Sequence, residues 1–255
     1  MIANYHTHTT RCRHATGTEE EYIQCALEGG LTHLGFSDHT PYLFPDGYYS
    51  TYRMYPGQLE DYVDTVLSLK DKYQDQLNIY LGLEAEYYPR YFPELLQMLR
   101  EYPVEYLVLG QHFVGNEIGE PYSGSPAWEE DTLRRYCDQV IDAMYTGLFS
   151  CLAHPELLNF RGEDAVFARH MVRVCRAARE CGIPLEINFE GMRGLRHYPA
   201  ERFWRLAGEE GCSVVLGCDA HHPQGVCDRR SEERAMELVK KYDLQLIPNM
   251  TLRSI

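Results

Sequence analysis

Tyr5-His6-Thr7-His8 and Asp219-Ala220-His221 place two metal-competent side chains two residues apart, each at the end of a short apolar run. On an extended strand such side chains share a face, so either pair could close on one cation. Between them along the chain come His14, His39 in GFSDH, Glu84 in LGLEAEY, His112 in LGQHF and His154 in LAHPE. Imidazole nitrogens and carboxylate oxygens suit zinc, iron and manganese alike. The chemistry such a set supports is metal-assisted hydrolysis. Two ions roughly 3.5 to 4 Å apart lower the pKa of a bridging water, aim hydroxide at an electrophile and neutralise the oxygens around it.

Elements able to gather these residues alternate along the chain. Candidate strands cover Ile2 to His6, His33 to Ser37, Ile79 to Ala85, Tyr106 to Gln111, Ser150 to Ala153, Leu185 to Phe189 and Val214 to Cys218. Helical periodicity covers Gln58 to Gln74, Glu130 to Tyr145, Glu163 to Cys181, Ala200 to Glu210 and Ser231 to Tyr242, with a shorter helix after Pro93. A first helix follows Thr18, where Glu21 completes a capping box, and stops at Gly29-Gly30. Such βα units predict a parallel sheet in an α/β barrel, one domain over residues 1 to 255. Pro41 to Pro56 is the longest irregular stretch, of the kind that covers a site. Barrel enzymes build their sites at the C-terminal strand ends, where seven of the eleven histidines fall. A single histidine after a strand is usually an ordinary hydrogen-bonded residue, but six strand ends carrying ligand chemistry are not explained that way. His33, His170, His197 and His222 show no such logic, and Cys12 and Cys218 read as small buried fillers.

A net charge of −14 argues against a nucleic-acid partner, yet bound cations dominate the field of their own site, so a small phosphorylated substrate remains compatible. No run of about 18 uncharged apolar residues appears, and the first residues lack a leader's basic and apolar regions, so no membrane partner is expected. Nine cysteines without a CxxC pair suit reduced thiols, and the expected compartment is the cytoplasm.

YHTHTTRCRHA, GFSDHTPY, GLEAEYYP, LGQHF, LAHPELL and GCDAHHP, in that order, resemble the polymerase and histidinol phosphatase (PHP) superfamily over essentially the whole chain. SDHTPY points to its monofunctional histidinol-phosphate phosphatase branch. The resemblance implies a distorted, TIM-like (β/α)7 barrel holding three divalent ions, commonly zinc, iron or manganese. Carried over by motif, His6, His8, Glu84 and Asp219 would hold one ion, Glu84, His112 and His154 a second, and His14, His39 and His221 a third. The implied activity is hydrolysis of L-histidinol phosphate to L-histidinol and phosphate, in histidine biosynthesis, by a metal-bridging hydroxide. Glu86 reads as a carboxylate behind the ligands.

Outside the ligands, Arg161, Arg193 and Arg196 are candidates to clamp phosphate and Asn188 to orient substrate, against the plain reading of arginines as solvated surface. Arg11 and Arg13 are weaker candidates. The substrate's amine calls for a rim carboxylate such as Glu117, Glu156 or Glu190. Asp38 and His222 are candidates to protonate the leaving alcohol, and Asp38 joins Asp219 and His221 as the expected catalytic set. Three rivals are weaker. An amidohydrolase opens with HxH too, but its bridging lysine is missing, because Lys70, Lys72, Lys240 and Lys241 all fall on expected helices. An exonuclease would want a basic track. A polymerase-accessory module would not need intact ligands.

Overall fold

Short aliphatic runs separated by amphipathic stretches bury both kinds of segment when strands lie inside and helices outside. The computed structural model, which describes residues 1–255, takes this form. Strands β1 (Ala3–Asn4), β2 (His33–His39), β3 (Asn78–Ala85), β4 (Tyr106–Leu109), β5 (Phe149–Leu152), β6 (Leu185–Asn188), β7 (Ser213–Gly217) and β8 (Gln245–Leu246) run parallel and neighbour one another in chain order. The seven expected strands are all present, and β8 adds a two-residue strand with no alternating pattern to announce it.

Helices α1 (Glu19–Glu28), α2 (Leu59–Lys72), α3 (Phe92–Leu99), α4 (Glu130–Tyr145), α5 (Asp164–Cys181), α6 (Phe189–Arg193), α7 (Glu201–Glu209) and α8 (Arg229–Lys241) pack outside the sheet. The capping box expected at Thr18 forms: Glu21 N–H donates to the Thr18 hydroxyl at 3.3 Å, and the Glu21 carboxylate accepts from Thr18 N–H at 2.7 Å. α6 was not expected. It starts because Asn188 ends β6 and its side-chain oxygen accepts from Gly191 N–H at 3.0 Å.

The curled sheet closes at one end only. Beyond β1, His8 N–H donates to Ala220 O at 3.0 Å and Ala220 N–H to His6 O at 3.3 Å, so β1 and β7 are joined through the two spaced ligand motifs. At the other end β8 pairs with the start of β7. β1 is shorter than expected because the buried Asn4 side chain accepts from His6 N–H at 3.3 Å and Cys218 N–H at 2.9 Å, replacing ladder bonds.

Side-chain alternation splits the apolar residues. Leu107, Leu109, Leu152, Val214 and Leu216 face the helices as part of a 59-residue cluster. Ala3, Tyr5, Tyr106, Val108, Cys151, Ala153, Val215 and Met250 form a separate cluster of 8 within the curl. Tyr106 spans that interior, its hydroxyl donating to Tyr5 O at 2.8 Å and Phe36 O at 3.2 Å, directly below the first ligands. Tyr106→Phe should lower stability by about 1–2 kcal/mol, measured as a lower urea midpoint at unchanged slope. An unchanged midpoint would show that the hydroxyl does not hold β1 and β2 to β4.

Candidate metal centre

Each ligand candidate leaves the sheet at its C-terminal rim, and the side chains converge on Glu84. This carboxylate is 1% exposed on β3. Its Oε1 faces His154 Nε2 at 3.1 Å and His112 Nε2 at 3.6 Å, and its Oε2 faces His39 Nδ1 at 3.0 Å, His6 Nε2 at 3.5 Å and His8 Nε2 at 3.6 Å. Asp219 Oδ1 lies 3.0 Å from His8 Nε2 and 3.5 Å from both His6 Nε2 and His221 Nδ1. His14, His39 and His221 form a third grouping nearer the mouth, with the His221 ring centroid 4.6 Å from His14 and 4.1 Å from His8. All nine expected ligands therefore meet at one place. The carboxylates fit because Gly110 and Gly217 carry no side chain, and a Cβ there would collide with Glu84 and Glu186 respectively.

Two ligands also occupy strained backbone, His154 at φ 29° and Asp219 at φ 46°, in the left-handed region that residues with a Cβ avoid.

Most of these close approaches are not hydrogen bonds. Buried atoms without a hydrogen-bond partner include His6 Nε2, both ring nitrogens of His8, His39 Nδ1, Glu84 Oε2, Asp219 Oδ1 and His221 Nε2. Ring nitrogens and carboxylate oxygens crowded on one another without hydrogen-bond geometry are the arrangement that a cation satisfies, and the donor set of imidazoles with two carboxylates fits a divalent ion. The far sides of the rings are held. His6 Nδ1 meets Glu186 Oε1 at 2.8 Å, and Glu186 Oε2 accepts from Asn188 Nδ2 at 2.8 Å and His154 N–H at 3.2 Å. His112 Nδ1 meets Glu86 Oε1 at 2.8 Å, as expected of a carboxylate behind the ligands.

Electrostatics divide the cluster in two. Burial lowers the affinity of His6 for a proton, but Glu186, Asp219 and Glu84 outweigh it and hold its pKa well above the usual value. His8, buried between Asp219 and Asp38, is likewise raised, to about 9. Burial followed by the neighbouring imidazolium charge pushes His39 down to about 3 and His221 well below its usual value. Protons on His6 and His8 thus balance the carboxylates, while His39 and His221 stay neutral and ready to donate lone pairs.

Comparison with known proteins agrees with this geometry: residues 4–190 match the PHP domain. The chain belongs to the PHP family. It is 32% identical over 231 residues to a probable histidinol-phosphatase of Deinococcus radiodurans, covering 87% of each chain. To a probable histidinol-phosphatase of Schizosaccharomyces pombe it is 31% identical, covering 89% of this chain and 82% of that protein. In fold it resembles the histidinol phosphate phosphatase of Lactococcus lactis crystallised with zinc, L-histidinol and phosphate, at a TM-score of 0.73 and 20% identity, over 96% and 95% of the two chains.

Around the PHP centre the other candidates separate. A cavity of about 510 Å³ opens over the ligands, walled by Tyr52, Phe113, Tyr122 and Tyr198, with Arg196 and Glu190 at its rim, 3.5 Å apart. Arg196 is the one arginine candidate that reaches it. Arg161 is exposed beside a different depression, since its backbone is tied to Ala127 O at 2.7 Å. Arg193 turns back to donate to Cys218 O at 2.6 Å and Asp219 O at 3.1 Å, bracing the loop that carries Asp219. Asn188 is buried beneath the cavity, donating to Glu186 at 2.8 Å and Asp219 Oδ2 at 3.0 Å. Arg11 pairs with Asp61 and Glu19, and Arg13 with Arg53 O.

Asp38 is fully buried. One oxygen accepts from His39 N–H at 2.8 Å and the other is taken up by Thr9, so it ties the chain after β1 to the end of β2, with its charge 3.5 Å behind His8 Nδ1. His222 is exposed and outside the cavity lining. Among the rim carboxylates considered, Glu117 is buried against Arg53 and Glu156 lines the other depression, leaving Glu190. Glu186, missed in the sequence, had one signal: a charge in the middle of the apolar strand LEIN.

Because His8 carries a proton up to about pH 9 and an ion must displace it, metal affinity should rise as pH increases from 7 toward 9. Calorimetric titration with Zn²⁺ in buffers of different ionisation heat should detect protons released on binding. Zinc binding without proton release would contradict the charge balance described.

Proposed function

We propose that this chain is a histidinol-phosphatase, a phosphoric monoester hydrolase that converts L-histidinol phosphate and water to L-histidinol and phosphate. One observation carries the reading: seven of the nine metal-competent side chains line one cavity, with His6 and His8 packed beneath it against Glu84 and Asp219, and its rim offers a cation, a carboxylate and aromatic walls. These match the substrate's phosphate, ammonium and imidazole in turn. The named activities of the Deinococcus and Schizosaccharomyces relatives support the same assignment.

Three divalent ions, zinc, iron or manganese, would be held by His6, His8, Glu84 and Asp219, by Glu84, His112 and His154, and by His14, His39 and His221. Bound there, they would supply positive charge against the phosphate oxygens and the Lewis acidity that makes water a nucleophile at neutral pH. With neutral imidazoles and two carboxylates, the loaded site is net positive in a chain of charge −14, which favours a dianionic ester. Arg196 steers and orients the phosphate from the rim, where its planar fork can meet two oxygens at once. Glu190 receives the substrate's ammonium. Asp219 and His221, which line the cavity, act at the reacting phosphate as ligands of the ions, and Asp38 acts as a buried negative charge 3.5 Å behind His8. The lysine-bridged amide-hydrolase alternative fails on placement: Lys70 and Lys72 lie on α2 and Lys240 and Lys241 on α8. All nine cysteines are free and no helix is long and apolar enough to cross a membrane, which supports a cytoplasmic enzyme.

The decisive measurement is phosphate release by metal-loaded protein from L-histidinol phosphate against sugar, nucleotide and amino-acid phosphates. Histidinol phosphate should lead, and a flat profile would overturn the substrate while leaving the chemistry. Arg196→Met should lower kcat/KM by about 10- to 150-fold, the value of a charge-assisted bond. Glu190→Gln should lower it for histidinol phosphate but not for amine-free esters; an equal loss for both would remove Glu190 from amine recognition.

A further inference from the structure

Arg53 is the one buried arginine of the chain, 2% exposed, although it belongs to the irregular stretch between β2 and α2 whose Leu43, Tyr49 and Tyr55 face solvent. A guanidinium keeps its charge in such a place only where carboxylates surround it. Its fork grips Glu86, Nη1 to Oε2 and Nη2 to Oε1, both at 3.0 Å. Nε and Nη2 also reach Glu117 Oε2, at 3.1 and 2.7 Å, and Nη1 donates to Thr40 O at 3.0 Å. Glu86 Oε1 in turn accepts from His112 Nδ1 at 2.8 Å. Since a carboxylate can only accept there, the proton sits on Nδ1 and the lone pair on Nε2, which points to Glu84 Oε1 at 3.6 Å.

From this geometry we propose that Arg53 is a positioning residue for the metal centre. By locking the rotamer and charge of Glu86, it fixes the tautomer and aim of His112 and selectively tightens the ion that His112 holds. Two carboxylates against one guanidinium leave Glu86 anionic, so it also raises the basicity of the His112 ring. The same contacts tie the loop after β2 and the loop after β4 to the end of β3, so the cavity wall at Tyr52 is set by the residue next to the anchor. The inference rests on the metal reading above.

The test counts ions retained by zinc-loaded protein, by elemental analysis after equilibration with graded chelator, alongside thermal melting of the metal-free chain. Arg53→Lys, which keeps the charge but loses the fork, should release one ion per chain at about 10- to 100-fold lower chelator than wild type, the other ions staying put. Glu86→Gln should do the same, which covers the case in which Arg53→Lys does not fold. Glu117→Gln, which loosens the loop but leaves the Arg53–Glu86 fork, should retain ions as wild type does. His112→Asn should release the same ion, and adding Arg53→Lys to it should cost nothing further. Retention unchanged in both Arg53→Lys and Glu86→Gln, uniform loss of every ion, or loss in Glu117→Gln equal to that in Arg53→Lys would each overturn the proposal. Wild-type protein that takes up no ion at all would overturn the metal reading and this inference with it.

Discussion

A carboxylate with almost no access to water, ringed by five imidazoles, is the constraint on which the rest of the molecule depends. Glu84 loses its hydration on β3 and must recover it from positive charge or lone-pair acceptors nearby. In the protein alone that role falls to the surrounding imidazoles, His112 first and then His6, and the lowered pKa of Glu84 reflects the compensation once burial is overcome. Replacing the protons of those imidazoles with divalent ions keeps the balance and adds charge at the mouth.

Holding so many polar groups together requires rigid supports on the sides away from the cavity. Glu186, Asn188 and Asp38 reach up from the strands, and Glu86 reaches out to a loop through Arg53. The barrel is joined at the mouth by the backbone of the ligand motifs themselves, so the residues that carry chemistry also complete the sheet. Left-handed backbone at His154 and Asp219 is tolerated for the same reason, since neighbours on both sides fix those positions.

The outer wall of the cavity follows a different logic. The metal-competent side chains sit at or just beyond strand ends, where register leaves little freedom, whereas Arg196, Tyr122 and Phe113 come from loops and Glu190 from the short helix α6. One scaffold can thus keep its metal chemistry while the loops set which ester it accepts.

Local patterns in the sequence determined the order of the strands and of the longer helices, the capping box at Thr18 and the nine metal-competent side chains that meet at one rim, because each depends on spacing along one element or on a motif contiguous in the chain. Tertiary structure alone decided which arginine faces the cavity. Arg161, Arg193 and Arg196 have the same chemistry in the sequence, and backbone direction after β5 and β6 separates them. Loops bring Arg53 and Glu86 together across 33 residues, and β6 brings Glu186 to His6 across 180, distances over which periodicity carries no information. The two-residue strand β8 was hidden for a related reason: it is too short to show alternation and forms because β7 offers it a free edge.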